Sequence, residues 1–287
     1  MNRRSFLKKF FAGLLPLLGL SGSTYLYARH VEPDMLQINR RKIVGKNIPK
    51  TFDHFKIVQF SDTHIGFHYS IDQLQKLVRT INYEQPNVVV FTGDLIDKPQ
   101  SFTANSLLMN TLSHLKATHG KYWIYGNHDH GGYGTGAVKA IMEAANFTLL
   151  QNNHTLITQG NEQIAIAGID DIILGKPNIE KALENIDPNM FTILLVHEPD
   201  FADIALAYPI DMQLSGHSHG GQVRFPVIGH LYTPNYAEKY IQGKYTFSNH
   251  HMSLYVNRGI GTTRLPFRFL CKPEISIFTL TNDASNS

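Results

Sequence analysis

KIVQFSDTH, residues 56–64, reads as a short buried strand that stops on two metal-ligating side chains. Ile57, Val58 and Phe60 are β-branched or aromatic, and Asp62 and His64 follow at once. The pattern recurs outward from this stretch. NVVVFTGD (87–94) ends at Gly93-Asp94, and KYWIYGNHD (121–129) ends at Gly126-Asn127-His128-Asp129. FTILLVH (191–197) ends at His197, and MQLSGHSH (212–219) ends at Gly216-His217-Ser218-His219. Helical patterns lie between the first strands. Ser70 and Gln73 form a capping box, with Ile71, Leu74, Leu77, Val78 and Ile81 on one face of the helix that follows. Further helices fit 104–117 and 135–145, and further strands fit 163–168, 253–257 and 275–280.

Strand–helix alternation specifies an α/β layered domain. In such sheets the sites form beyond the carboxyl ends of the strands, so the five polar loops converge on one crevice. The reading places one domain over 51–281, a polar lead-in strand or linker over 31–50, and a tail over 282–287.

Asp, His and Asn offer hard oxygen and borderline nitrogen donors, and the single cysteine, Cys271, supplies no thiolate cluster. That donor set suits zinc, manganese or iron rather than calcium or a structural cysteine–zinc site. Seven such side chains exceed what one tetrahedral ion takes, and fit two ions sharing a bridging carboxylate.

The order Asp-x-His, Gly-Asp-x-x-Asp, Gly-Asn-His-Asp, His, Gly-His-x-His resembles the calcineurin-like metallophosphoesterase superfamily. NHDHGGYG (127–134) and RGIGTTRLP (258–266) are similar to its twin-arginine-exported, cell-wall-associated bacterial branch, which is related to UDP-2,3-diacylglucosamine pyrophosphohydrolases. The resemblance implies a four-layer α-β-β-α sandwich. It also implies two divalent ions, one held by Asp62, His64 and His219, the other by Asn127, His197 and His217, with Asp94 bridging. His128 would face the substrate as electrophile or general acid, and Asp129 would orient His128. The chemistry implied is phosphoester hydrolysis, an activated water attacking phosphorus in line while the metals absorb charge.

Net charge decides about partners. The 26 Lys/Arg and 23 Asp/Glu give +3, which on its face suggests an anionic partner. Five of the basic residues lie in 1–30, where there is no acid, so 31–287 has 21 basic against 23 acidic residues, a net −2. With no aromatic–basic stripe either, nucleic acid is not expected as a partner. The basic N-terminus, the pair Arg3-Arg4 within RRSFLK and the apolar run 10–28 read as a twin-arginine-type signal or membrane anchor. The run is near the length that spans a bilayer, so a secreted and a tethered form both stay open. Export to the cell wall or the outer face of the membrane is the expected address. A phosphoester substrate, lipid-linked in one option, is the expected partner.

Around the site, Arg258, Arg264 and Arg268 are candidates to clamp an anion, with salt-bridge roles equally open. Tyr133, Tyr232, Tyr236, Phe267 and Phe269 are candidates to border a groove for a sugar or acyl chain, or to be core. Asp97 reads as a support for the ligands, and His130, His250 and His251 as surface. The competing function is a non-catalytic wall- or membrane-attached module on the same scaffold, which a degenerate ligand set would support.

Overall fold

The computed structural model describes residues 22–130 and 135–282. Among them run fourteen strands: β1 (Gln37–Gly45), β2 (Lys56–Phe60), β3 (Val88–Phe91), β4 (Lys121–Trp123), β5 (Thr148–Leu149), β6 (Asn153–Gln159), β7 (Glu162–Gly168), β8 (Thr192–Leu195), β9 (Met212–Ser215), β10 (Arg224–Phe225), β11 (Gly229–His230), β12 (Gly243–Thr246), β13 (Ser253–Val256) and β14 (Glu274–Asn282). Two six-stranded sheets form, ordered β1-β14-β2-β3-β4-β5 and β12-β13-β9-β8-β7-β6, and β10 pairs with β11 alone.

Three apolar clusters separate four layers. Val88, Val90 and Ile124 of the first sheet meet Ile166, Ile193 and Leu214 of the second in the central one. The other face of the first sheet buries Val58, Phe60 and Phe91 against the helices Ile71–Tyr83, Asn105–Ser113 and Thr135–Ala144. The outer face of the second packs on the short helices Ile179–Ala182 and Ala202–Ala205. This is the α-β-β-α sandwich. Strands β3, β8 and β9 are buried along their whole length and β2 over all but Lys56, because both faces are covered.

Local chemistry accounts for the first long helix. Ser70 Oγ accepts from the Gln73 N–H at 3.2 Å while Gln73 Oε1 accepts from the Ser70 N–H at 2.8 Å, so two of the free N–H groups at its start are satisfied. Leu74, Leu77, Val78 and Ile81 form its buried stripe.

The first sheet extends further back than residue 51. Residues 37–45, within the segment read as a lead-in strand or linker, form β1, which lies parallel to β14 over nine residue pairs. As an edge strand with a mostly solvated pattern, it lacks the apolar alternation that marks a strand in sequence. β6 was missed; it joins β7 through a two-residue Gly160-Asn161 turn. Among the described residues no helix is long and apolar enough to cross a membrane. The RRSFLK segment, Tyr133 and the tail 283–287 lie outside the described residues.

Strands β2, β3 and β4 run parallel, as do β8 and β9, so their carboxyl ends deliver the polar loops to one edge. Gln59 locks the two sheets there: its Nε2 donates to Thr92 Oγ1 and to the Ser215 carbonyl, both at 3.0 Å.

Candidate metal centre

The loop after each strand must turn at once to aim its ligand into the crevice. Five of the seven candidate ligands sit at positive φ: Asp62 at 52°, His64 at 42°, Asp94 at 63°, His217 at 67° and His219 at 51°. Non-glycine residues rarely take this conformation, and clusters of them mark functional sites where surrounding structure holds the strain. Glycine is required where the loops touch. A side chain on Gly216 would meet Ser61 Oγ and Asp62 Oδ2, so only a bare backbone lets the β9 loop close on the β2 loop.

Two fully buried donor sets result. Asp62, His64 and His219 converge as one; Asp94, His197 and His217 converge as the other. In the first, His64 Nε2 and His219 Nε2 lie 3.0 Å apart, and Asp62 Oδ1 is 3.5 Å from His219 Nε2. Asp94 lies between the sets. Its Oδ2 is 3.5 Å from His64 Nε2 and 3.3 Å from His197 Nε2, while its Oδ1 accepts the His128 N–H at 2.8 Å. Asn127 Oδ1 is buried without a hydrogen-bond partner, as is His197 Nε2. Buried acceptors of this kind are otherwise costly, and a divalent cation satisfies them together. Donor chemistry, convergence and orphaned atoms therefore fit divalent metal.

Two of the four imidazoles are aimed by hydrogen bonds on their other nitrogens. His197 Nδ1 donates to the Thr92 carbonyl at 2.6 Å and His217 Nε2 to the Asn235 carbonyl at 2.9 Å, freeing His197 Nε2 and His217 Nδ1 to bind. Asp97 Oδ1 lies 3.5 Å from His64 Nδ1, the supporting place read for it. Burial, reinforced by His197, pushes the His217 ring down to about 3. Burial, with His64 and Arg268 nearby, holds His219 well below the usual histidine range. Both rings are neutral at pH 7, as ligands must be. Burial works against charge on Asp94, but His197 and then His128 hold its carboxyl well below the usual range.

His128 packs on His64, ring centroids 4.5 Å apart, and with Asp97 makes a third, less buried donor group; its side chain is 30% exposed on the open side. Its Nδ1 donates to the Asp97 carbonyl at 2.9 Å, which leaves Nε2 to face a substrate. Burial lowers its affinity for a proton; Asp94, the Asp97 carbonyl and the Asp97 carboxylate together raise it more. Asp129 does not orient it, contrary to the sequence reading. Its carboxylate accepts three backbone N–H groups, from Asp94 at 2.7 Å, Leu95 at 2.9 Å and Gly126 at 3.0 Å. Successive side chains on a helical turn point about 100° apart, so neighbours in sequence do not face one another. Asp129 instead staples the β3 and β4 loops together.

The arginines divide. Arg258 is committed to Glu274 Oε2 at 2.5 Å and Gln37 Oε1 at 3.0 Å, a structural pair at the sheet edge rather than an anion clamp. Arg268 is wholly buried and donates to the carbonyls of Gly261, Cys271 and Arg258. Arg264 is exposed, lies 4.8 Å over the Tyr232 ring, and lines a pocket. His130 is no free surface residue: its Nε2 lies 2.6 Å from Asp170 Oδ1, while His250 and His251 are exposed.

Two depressions flank the centre. One, of about 210 Å³, is lined by Asp97, Lys98, Asn127 and His128. The other, of about 480 Å³, has His217 and His219 among its walls and is otherwise largely apolar, with Tyr25, Phe225, Leu231, Tyr232, Phe267 and Phe269. Three of the aromatic candidates, Tyr232, Phe267 and Phe269, thus do border a groove. Lys98 and the N-terminal Tyr25 were not found from sequence, since neither sits in a motif.

Comparison with known proteins agrees with this geometry. Residues 55–221 match the model of the calcineurin-like phosphoesterase family. The chain is 46% identical to the uncharacterized metallophosphoesterase YkuE of Bacillus subtilis, over 98% of each chain. It is 26% identical to the phosphodiesterase YaeI of Escherichia coli, over 98% of this chain and 99% of the other. It is 28% identical to the UDP-2,3-diacylglucosamine pyrophosphatase LpxG of Chlamydia muridarum, over 88% and 92%. The ligand set is intact, whereas a scaffold-only module would show it degraded. More than half of the sequence matches the family model and the residues that its chemistry needs meet at one sheet edge: this chain belongs to the calcineurin-like phosphoesterase family and is a metal-dependent phosphoesterase.

Proposed function

We propose that the chain hydrolyses phosphodiester or diphosphate bonds of lipid-linked molecules outside the cytoplasmic membrane, with two divalent ions. The observation that carries the dinuclear reading is Asp94 Oδ2, within 3.5 Å of a ring nitrogen from each donor set. Asp62, His64 and His219 would hold one ion, Asn127, His197 and His217 the other, with zinc, manganese or iron suited to both. When bound, the pair lowers the pKa of water and offsets charge on the phosphoryl oxygens. His128, fixed by the Asp97 carbonyl, presents Nε2 and protonates the leaving oxygen. Asp129 holds the β3 and β4 loops at the spacing the shared carboxylate needs.

The substrate class is supported by the apolar pocket that opens beside His217 and His219, where an acyl or prenyl chain would lie while its phosphate meets the centre. A diacylated nucleotide sugar, the molecule in the name of one relative, combines these features; wall polymers and phospholipid headgroups share the phosphoester. Export rests on the RRSFLK signal. The test is a panel of aryl phosphodiesters, monoesters and UDP-sugar lipids, with metal-depleted and reconstituted protein. Hydrolysis of the lipid-bearing diphosphates at the highest kcat/KM supports the reading. Preference for a water-soluble monoester overturns the substrate class, and turnover that persists after metal depletion overturns the reaction.

A further inference from the structure

The apolar pocket is lined from three distant segments, 24–28, 217–234 and 263–269. Aromatic contacts join them: Tyr25 meets Phe267 at 5.4 Å, Tyr27 meets Phe269 at 6.4 Å, and Phe225 meets Phe269 at 5.9 Å. Apolar side chains there point outward. Leu26, Leu231 and Leu265 are each more than half exposed, and Ile228 is 73% exposed. Val227, at the tip of the β10–β11 hairpin, is as exposed as in an open chain and sits at φ 69°, a conformation that β-branched residues avoid. A contiguous apolar rim of this kind marks an interaction surface.

Charge and chain direction indicate the partner. These segments carry Arg224, Arg264 and the buried Arg268 and no Asp or Glu, although 31–287 is net negative. Exposed apolar side chains beside Arg224 and Arg264, with no acid among them, match the interface of an anionic lipid leaflet. In sequence, the apolar stretch FFAGLLPLLGLS (10–21) shortly precedes Thr24, Tyr25 and Ala28, which are part of the pocket wall. Any lipid attachment of that run brings this face of the molecule to the membrane.

We propose that the hairpin tip Pro226-Val227-Ile228, with Leu231 and Leu265 beside it, inserts into the surface of an anionic bilayer and seats the pocket mouth on it. The surface is separate from the reaction, so its test needs no turnover. Trp123, the single tryptophan, is fully buried, so an added indole reports its own surroundings. Full-length Val227→Trp is mixed with phosphatidylglycerol–phosphatidylcholine vesicles carrying brominated acyl chains. Tyr83→Trp, on an 86% exposed site at the opposite end of the helix Ile71–Tyr83 from the centre, is the reference. The expected result is a blue shift and about twofold quenching of the 227 indole by bromolipid, weaker in pure phosphatidylcholine, with the 83 indole unmoved. Three results overturn the proposal. The 227 indole stays open to aqueous acrylamide with vesicles present. It is already shielded without vesicles and does not change, meaning that the N-terminal run or a second copy covers it. Both indoles are quenched alike, meaning that attachment does not orient this face.

Discussion

The metal centre and the apolar pocket share a wall at His217 and His219, yet they are built by opposite means. At the centre, five of the seven ligands sit on a sharp backbone turn, and several are also held by a hydrogen bond on their far side. His197 leans on the Thr92 carbonyl, His217 on that of Asn235, and Asp94 Oδ1 on the His128 N–H. The pocket has side chains held by ring contacts, with exposed apolar groups at its mouth. Rigid polar geometry suits a reaction whose charges develop at set points. An adaptable apolar wall suits a chain recognised by area rather than by direction.

If that contrast is right, damage to the centre is severe and general, whereas damage to the pocket is mild and substrate-selective. The largest effect is expected of Asp94→Asn, which removes the shared charge; kcat should fall by about 10⁴-fold or more on every phosphoester, the several kcal/mol expected of metal chemistry. His128→Ala should lower kcat by about 10³-fold while metal content by mass spectrometry stays unchanged, because His128 protonates rather than binds. Asp129→Ala would leave three buried N–H groups unpaired; at about 1–3 kcal/mol for a buried donor, a loss of about 3 kcal/mol in denaturant unfolding is expected, together with weakened metal affinity. Phe267→Ala should raise KM about tenfold for lipid-bearing substrates and leave a water-soluble aryl diester unaffected. Equal losses on both substrates would mean that the pocket serves the centre's geometry.

The smallest effect concerns His130 and Asp170, beside the centre. Burial opposes charge on His130, but the bond to Asp170 raises its pKa above the ordinary 6.5. Burial also opposes charge on Asp170, but His130 and the Lys176 N–H lower its pKa to about 2. The histidine's contribution is complete below 6.5 and fades as pH rises through its folded value. The aspartate's is present above 3.8 and fades as pH falls through about 2. The pair therefore stabilises most between pH 3.8 and 6.5. His130→Gln should cost about 1–2 kcal/mol there and less at pH 8, read as the difference in unfolding midpoint between wild type and variant.

The same contrast explains what the sequence made legible. Asp62, His64, Asp94, Asn127, His197, His217 and His219 are scarce residue types placed directly after apolar runs, so spacing alone brought them to one crevice. The pocket is assembled from ordinary leucines and aromatics about 200 residues apart, such as Tyr25 and Phe225, and no local pattern announces it. Orientation was the other blind spot. Asp129 follows His128 in the chain but points away from it, and the carbonyl that does hold His128 belongs to Asp97, 31 residues earlier. Arg258 stayed undecided in sequence between anion clamp and salt bridge because Glu274 and Gln37, its partners, come from β14 and β1, two strands of the far-reaching first sheet. β1 was left open between strand and linker for its own reason, since an edge strand washed by solvent needs no apolar face.

The central claim is that Asp94 couples two metal sites. Metal content of full-length protein reconstituted with manganese or zinc, compared with that of Asp94→Asn, tests it most directly. The account predicts two ions per chain in the wild type, abolition of turnover by chelation with recovery on adding metal back, and fewer than two ions in the variant. A wild type saturated by one ion, or an Asp94→Asn variant that keeps two ions and full turnover, would contradict it.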